Sequence, residues 1–217
     1  EMQSMGLATG DIDEDGDLDY YITNLGDNYL LENQNGSGFK NISNTKNVID
    51  GSGFSWGTAF IDINNDSYLD LYVAKGSIFA ENDSQANKLY QYDQLSEKFI
   101  DNSIAEGMAE PNRGRGMAHG DFNQDGKIDF AVSNVRAKQS NEGRALLYIN
   151  QNRNSGNWVK IILEGNVSNK SSYGASIILS ANGRKFIKEL SGGTSYLSSH
   201  SNTVHFGVGE IEKIDEL

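Results

Sequence analysis

The sequence predicts an all-β chain built from three copies of one blade-like unit. Three observations carry this: an acidic nine-residue window that recurs three times, a short run of aromatic and β-branched residues after each window, and the lack of long helical periodicity between Gly-, Asn- and Ser-rich turns. The windows read DIDEDGDLD (11–19), DINNDSYLD (62–70) and DFNQDGKID (121–129). Their first Asp residues are 51 and 59 positions apart, a period that suits propeller blades or a similar array of short strands.

Each unit unfolds in the same order. A Gly stands five residues before the first Asp (Gly6, Gly57, Gly116), and an Ala stands three before it (Ala8, Ala59, Ala118). These mark a strand running into the window. The runs YYIT from Tyr20, LYVA from Leu71 and FAVS from Phe130 read as the strand leaving it. Hairpin partners follow at NYLLEN from Asn28, NKLYQY from Asn87 and ALLYIN from Ala145, with further strands around Phe39 and Phe99 in the first two units only.

The windows have the composition of an oxygen cage. Side chains at positions 1, 3 and 5 converge on one point only if the backbone curls tightly, and Gly at position 6 permits that curl because it tolerates positive φ. A backbone carbonyl at position 7 and the Asp at 9 then complete the set. The expected ligands are Asp11, Asp13, Asp15 and Asp19 with the carbonyl of Asp17 in loop one. They are Asp62, Asn64, Asp66 and Asp70 with the carbonyl of Tyr68 in loop two, and Asp121, Asn123, Asp125 and Asp129 with the carbonyl of Lys127 in loop three. All-oxygen, flexible coordination points to Ca²⁺, because Mg²⁺ requires a stricter octahedron and Zn²⁺ prefers N or S. Two to three structural ions are expected. Loop two ranks last, since Ser67 replaces the Gly and it has fewer charges than loop one. An EF-hand is excluded by position 12, which is Ile22, Val73 or Val132 instead of a bidentate Glu.

Composition narrows the function classes. Among 217 residues there are 30 acidic and 18 basic side chains, a net charge of −12, 24 Gly, one Pro and no Cys. No basic stripe exists for a nucleic-acid backbone, and no apolar run is long enough for a membrane span. Disulfides, Cys-ligated zinc and thiol catalysis are absent from the repertoire. No nucleophile elbow accompanies the serines near His200, so no catalytic residue is assigned and the chain reads as a non-enzyme. His205 and Phe206 read as strand packing, and His200 as a turn residue. Arg113 and Arg115 around Gly114 form the only dense basic spot and read as a solvated loop between blades. Asn-x-Ser sequons at Asn35, Asn41, Asn82, Asn166 and Asn169 are what chance gives in a chain this rich in both residues.

The loops with their flanking strands resemble the FG-GAP/VCBS repeat family of Ca²⁺-binding β-propellers. The tail segments NWVKIILEG (157–165), YGASIILS (173–180), KELSGGTSYLSSHS (188–201) and VHFGVGE (204–210) resemble the ASPIC/UnbV domain of cartilage acidic protein-like sequences. The resemblance implies three blades over residues 1–152, a partial β-propeller, and a small β-rich ASPIC/UnbV-like domain over 153–217. Propellers close with four to eight blades, and the family continues past residue 217 into one more strand. The chain is thus expected to be part of a longer protein whose remainder completes the propeller. The implied function is an extracellular, periplasmic or cell-surface binding or adhesion module for a protein or carbohydrate ligand. The alternative is a non-catalytic appendage of a secreted polysaccharide-active enzyme.

Overall fold

The computed structural model describes residues 3–51, 53–78, 85–109, 111–135, 144–153 and 155–217; the sequon at Asn82 lies outside them. Among the described residues every regular element is a β-strand, so no helix is long and apolar enough to cross a membrane. The first unit is an antiparallel meander of β1 (Leu7–Gly10), β2 (Asp19–Ile22), β3 (Tyr29–Asn33) and β4 (Phe39–Asn41). The second consists of β5 (Ser55–Ile61), β6 (Asp70–Lys75), β8 (Lys88–Asp93) and β9 (Lys98–Asp101), and a short β7 (Gln85–Ala86) pairs with β10 (Pro111–Asn112). The third has β11 (Gly114–Gly120), β12 (Asp129–Asn134) and β13 (Leu146–Tyr148), with no fourth strand among the described residues. That difference follows the sequence: the Phe that opens or occupies β4 and β9 has no counterpart in the third repeat.

Register places the acidic windows. Gly10 pairs with Asp19, Ile61 with Asp70 and Gly120 with Asp129, so each window is the hairpin loop closed by its own ninth residue. The blades stack face to face through the alternation of strand side chains. Blade two is covered on both sides. Phe60, Leu71, Val73 and Tyr90 pack toward Ala8, Tyr21 and Leu30 of blade one. Ala59, Ile61, Tyr72 and Ala74 pack toward Met117, Phe130 and Val132 of blade three. Burying each of the larger aliphatic and Phe side chains among these contributes roughly 1.5–3 kcal/mol. A buried ion pair, Lys75 Nζ to Asp50 Oδ2 at 2.6 Å, ties blade two to the loop preceding it.

The repeated glycines are explained by close approach between blades. A Cβ on Gly57 would lie 2.6 Å from the Arg115 carbonyl oxygen and 2.9 Å from Ser195 Oγ, and one on Gly116 would lie 2.5 Å from Ser198 Oγ. Both glycines sit where the ladder shifts register, in β5 and β11. The Gly-Gly-Thr-Ser-Tyr-Leu-Ser-Ser segment runs along the inner strands here. The N–H of Ser195 donates to the Leu7 carbonyl at 2.9 Å, and the N–H of Thr58 donates to Ser195 Oγ at 3.0 Å.

Arg115 departs from expectation. Its guanidinium lies 4.1 Å from the Trp56 ring centroid and donates to the carbonyls of Gly76 and Ser77 at 2.9 and 3.0 Å. It is a half-buried structural group instead of a solvated loop residue, because the blade junction leaves backbone carbonyls that need a planar, multi-donor partner.

The C-terminal strands form two antiparallel pairs. β14 (Asn157–Ile162) pairs with β17 (Thr203–Gly209), and β15 (Ser176–Ala181) pairs with β16 (Arg184–Glu189). They enclose their own apolar cluster of Ile161, Leu179, Phe186, Leu190 and Phe206. His205 and Phe206 are buried in β17, as their strand reading requires.

Candidate metal centre

All three loops share one backbone path. Position 6 has positive φ in each: +97° at Gly16, +80° at Ser67 and +85° at Gly126. Ser67 therefore adopts the conformation that glycine takes freely in its neighbours. Position 4 is also left-handed, at Glu14, Asn65 and Gln124, which the sequence reading did not anticipate. The N–H of position 6 donates to the first Asp, at 3.2 Å from Gly16 to Asp11, 2.8 Å from Ser67 to Asp62 and 2.8 Å from Gly126 to Asp121. The N–H of position 7 donates to the carboxylate of position 5: Asp17 to Asp15, Tyr68 to Asp66, Lys127 to Asp125.

The ninth Asp clamps each loop to its blade. Asp19, Asp70 and Asp129 are buried. One carboxylate oxygen accepts from the N–H of position 2 (Ile12, Ile63, Phe122) at 2.9–3.1 Å. The other accepts from the N–H of Asn33 or Tyr92, in the last two residues of the third strand, or of Asn150 just past it, at 2.8–2.9 Å. Each oxygen keeps a second lone pair, so a clamp can also face an ion.

The loops differ in how their first five positions are satisfied. In loop one the carboxylate oxygens of Asp11, Asp13 and Asp15 lie within 4.8 Å of one another. Asp11 Oδ1 is buried and has no hydrogen-bond partner, nor has either oxygen of Asp17. Burial, partly opposed by the Gly16 N–H and reinforced by the Asp13 and Asp15 charges, raises the Asp11 carboxyl to about 6. Burial likewise raises Asp19 to about 7 and moves Asp13 upward. In loops two and three an amide replaces the third carboxylate and bonds within the loop. Asn64 Nδ2 donates to Asp66 at 2.9 Å, and Asn123 Nδ2 to Asp125 at 3.0 Å.

The C-terminal strands bring one cation to each loop. Arg184 of β16 forms a two-point pair with Glu14 of loop one and donates to Ser67 Oγ of loop two at 2.7 Å. Lys188, from the same face of β16, shares with Asp62 a gap of about 30 Å³ between loops one and two. Burial drives Lys188 down and Asp62 up. Lys160 of β14 reaches Asp121 Oδ2 at 2.5 Å. Burial opposes ionisation of Asp121, but Lys160 and the N–H groups of Gly126 and Asp125 outweigh it and hold that carboxyl below its ordinary value. The sequence reading missed these three cations. The i, i+4 spacing of Arg184 and Lys188 puts those two on one strand face, but nothing local marks their partners, and Lys160 has no such signal.

Loop one fits an oxygen-seeking cation. It offers three converging carboxylates, a buried carboxylate oxygen without a donor, and no nitrogen or sulfur ligand. A hard divalent ion would offset the burial and mutual repulsion that raise Asp11 and Asp13. No histidine ring bonds to a serine or carboxylate among the described residues; the one ring bond runs from His205 to Asn65.

Residues 4–73 match the family model described as FG-GAP-like repeat, and residues 165–217 match the one described as ASPIC and UnbV. Over 65 residues, 30% of this chain, the sequence is 35% identical to Cartilage acidic protein 1 of Mus musculus. That stretch spans 10% of the mouse protein's length. The N-terminal part of the chain is thus similar to an FG-GAP-like repeat, and its C-terminal part to an ASPIC and UnbV domain.

Proposed function

We propose that this chain is a Ca²⁺-stabilised extracellular binding module in which ions rigidify the loop end of the blades. The observation that carries the reading is the loop-one trio of Asp11, Asp13 and Asp15, with the buried Asp11 Oδ1 lacking any donor. Asp11, Asp13 and Asp15 would hold the ion, with the Asp17 carbonyl and Asp19 completing the shell. The ion would supply positive charge and a fixed coordination geometry. The chain's own contribution is to pre-curl the backbone through two left-handed residues and to anchor the loop through the Asp19 clamp. Sites of this kind fill where Ca²⁺ is abundant, which favours an extracellular or periplasmic setting. The repeat and ASPIC/UnbV matches support a role in binding or adhesion, and the ligand would be a protein or a carbohydrate.

Thermal melting with and without EGTA, together with bound-metal analysis, tests the reading. Retained calcium and a melting temperature lowered by chelator are expected. A chain that retains no calcium and melts identically in EGTA would overturn it.

A further inference from the structure

The chain has three histidines, and all three line one cavity of about 120 Å³. It lies where the inner strands β1, β5 and β11 face β16, β17 and the segment between them. Its walls include Ala8, Ala59, Ile61 and Val204, and its polar lining includes His119, His200, His205 and Thr194. The Nδ1 atoms of all three rings and Thr194 Oγ1 are buried without a hydrogen-bond partner. Buried polar atoms are ordinarily satisfied, so four orphans on residues that line one space leave it suited to an occupant that supplies their partners.

The His205 tautomer follows from its neighbour. Asn65 Nδ2 donates to the Gly126 carbonyl at 2.9 Å and to Ser155 Oγ at 2.8 Å, which uses both amide hydrogens and fixes the orientation of the amide. Asn65 Oδ1 therefore accepts from the His205 Nε2–H at 2.8 Å. His205 Nδ1 is left with a bare lone pair. A histidine that ligates a metal typically donates its other N–H to a fixed acceptor in this way.

His119 and His200 stand together, with ring centroids 4.0 Å apart and planes tilted by 32°. With metal–nitrogen bonds of about 2.0–2.1 Å, two imidazoles at right angles on one ion place their centroids about 4.5 Å apart. The pair is within about half an ångström of that spacing. Lys188 and Asp62 also line the cavity, and their opposite charges offset one another there.

We propose that this cavity is a binding site for a late first-row transition-metal ion, held by His119 and His200 with His205 facing the same space. Among the described residues the only trio of ligand atoms within 4.8 Å of one another is that of the loop-one carboxylates, so His205 does not close a three-nitrogen set with the pair and the ion would rest on His119 and His200. The cavity has room for roughly four waters, enough to complete the coordination of the ion. Imidazole suits copper and zinc, whereas the carboxylate loops suit Ca²⁺, so the two centres divide metals by ligand type.

The test is equilibrium dialysis of the untagged chain against Cu²⁺ in excess Ca²⁺, which keeps the acidic loops occupied. Retained copper is then measured and its ligands are read by electron paramagnetic resonance. One equivalent with imidazole nitrogen coordination is expected, and His200→Ala and His119→Gln should each weaken retention at least tenfold. The spectrum of the unaltered chain decides the matter even if a variant fails to fold. No retained copper, copper coordinated by oxygen alone, or folded variants that both retain it as the parent does would overturn the proposal. The cavity would then hold water.

Discussion

Loops one and three share one frame and reach opposite electrostatic states. Both curl through left-handed residues at positions 4 and 6 and close on a clamped ninth Asp. Loop one gathers three carboxylates, and burial and mutual charge push Asp11 up to about 6. Loop three replaces one carboxylate with Asn123 and receives Lys160, so Asp121 stays below its ordinary value. The lesson is that a shared motif fixes geometry, while the third position and the docked C-terminal strands decide whether the loop still needs an ion. The sequence ranking places loop three beside loop one; Lys160 separates them.

The largest expected effect is one the two loops share. Asp19→Ala and Asp129→Ala each leave two partly buried N–H groups without an acceptor, at about 1–3 kcal/mol apiece. Both variants should lose roughly 2–5 kcal/mol in EGTA, and Asp19→Ala should lose more in Ca²⁺, where it also removes a ligand. Denaturant titration measures this, and a loss confined to one loop would show that the clamps are not equivalent.

The second effect divides the loops. An ion at a hundredfold excess over its dissociation constant adds about 2.7 kcal/mol, or about 5–10 °C in a domain of this size. Asp13→Asn should remove most of the calcium-dependent shift in melting temperature, whereas Asp125→Asn should remove little. An equal loss from both would restore the two loops to equal rank.

How much of this was legible follows from what local pattern can encode. The strands and windows repeat in sequence, so the hairpins closed by Gly10–Asp19 and Gly120–Asp129 could be placed from the string alone. The ninth Asp was identified, but its clamp was not, because its second donor comes from the far end of the third strand or just past it. Lys160 meets Asp121 from 39 residues away and Arg184 meets Glu14 from 170. Neither pairing leaves a periodic trace. The left-handed fourth position was hidden because Glu14, Asn65 and Gln124 have no residue type in common. Arg115 was misread because two of its acceptors, the carbonyls of Gly76 and Ser77, belong to a different blade.

A third prediction tests the Lys160 contact itself. Lys160→Met removes the cation from a carboxylate whose side chain is 3% exposed. Without ion, the variant should lose about 1–2 kcal/mol, between the values for exposed and buried pairs. With ion, the loss should shrink, because Asp121 is then free to bind it. Calorimetric Ca²⁺ titration should show an added or tighter binding event relative to the parent. Unchanged titration would mean that Lys160 and the ion do not compete.

The smallest effect is the response to pH, and its sign separates loop one from loop three. Asp11 and Asp19 have folded values of about 6 and 7 against an ordinary 3.8, both raised first by burial. A carboxyl raised in the folded state contributes stability that is present at low pH and lost as pH rises through the folded value. In EGTA the melting temperature should therefore fall between pH 5 and 7.5. The buried Asp62 and Asp70 shift in the same direction and add to the fall. Asp121 is lowered, so its contribution is lost as pH falls through the ordinary carboxylate value and below, outside this window. Calcium reverses the sign for loop one, since the ion needs the ionised carboxylates and binds more tightly as they deprotonate. The difference between the melting curves with and without Ca²⁺ should thus widen from pH 5 to 7.5. Asp11→Asn should reduce that widening and Asp121→Asn should leave it. A gap that stayed constant across the window would mean that protons and the ion do not compete for the same carboxylates.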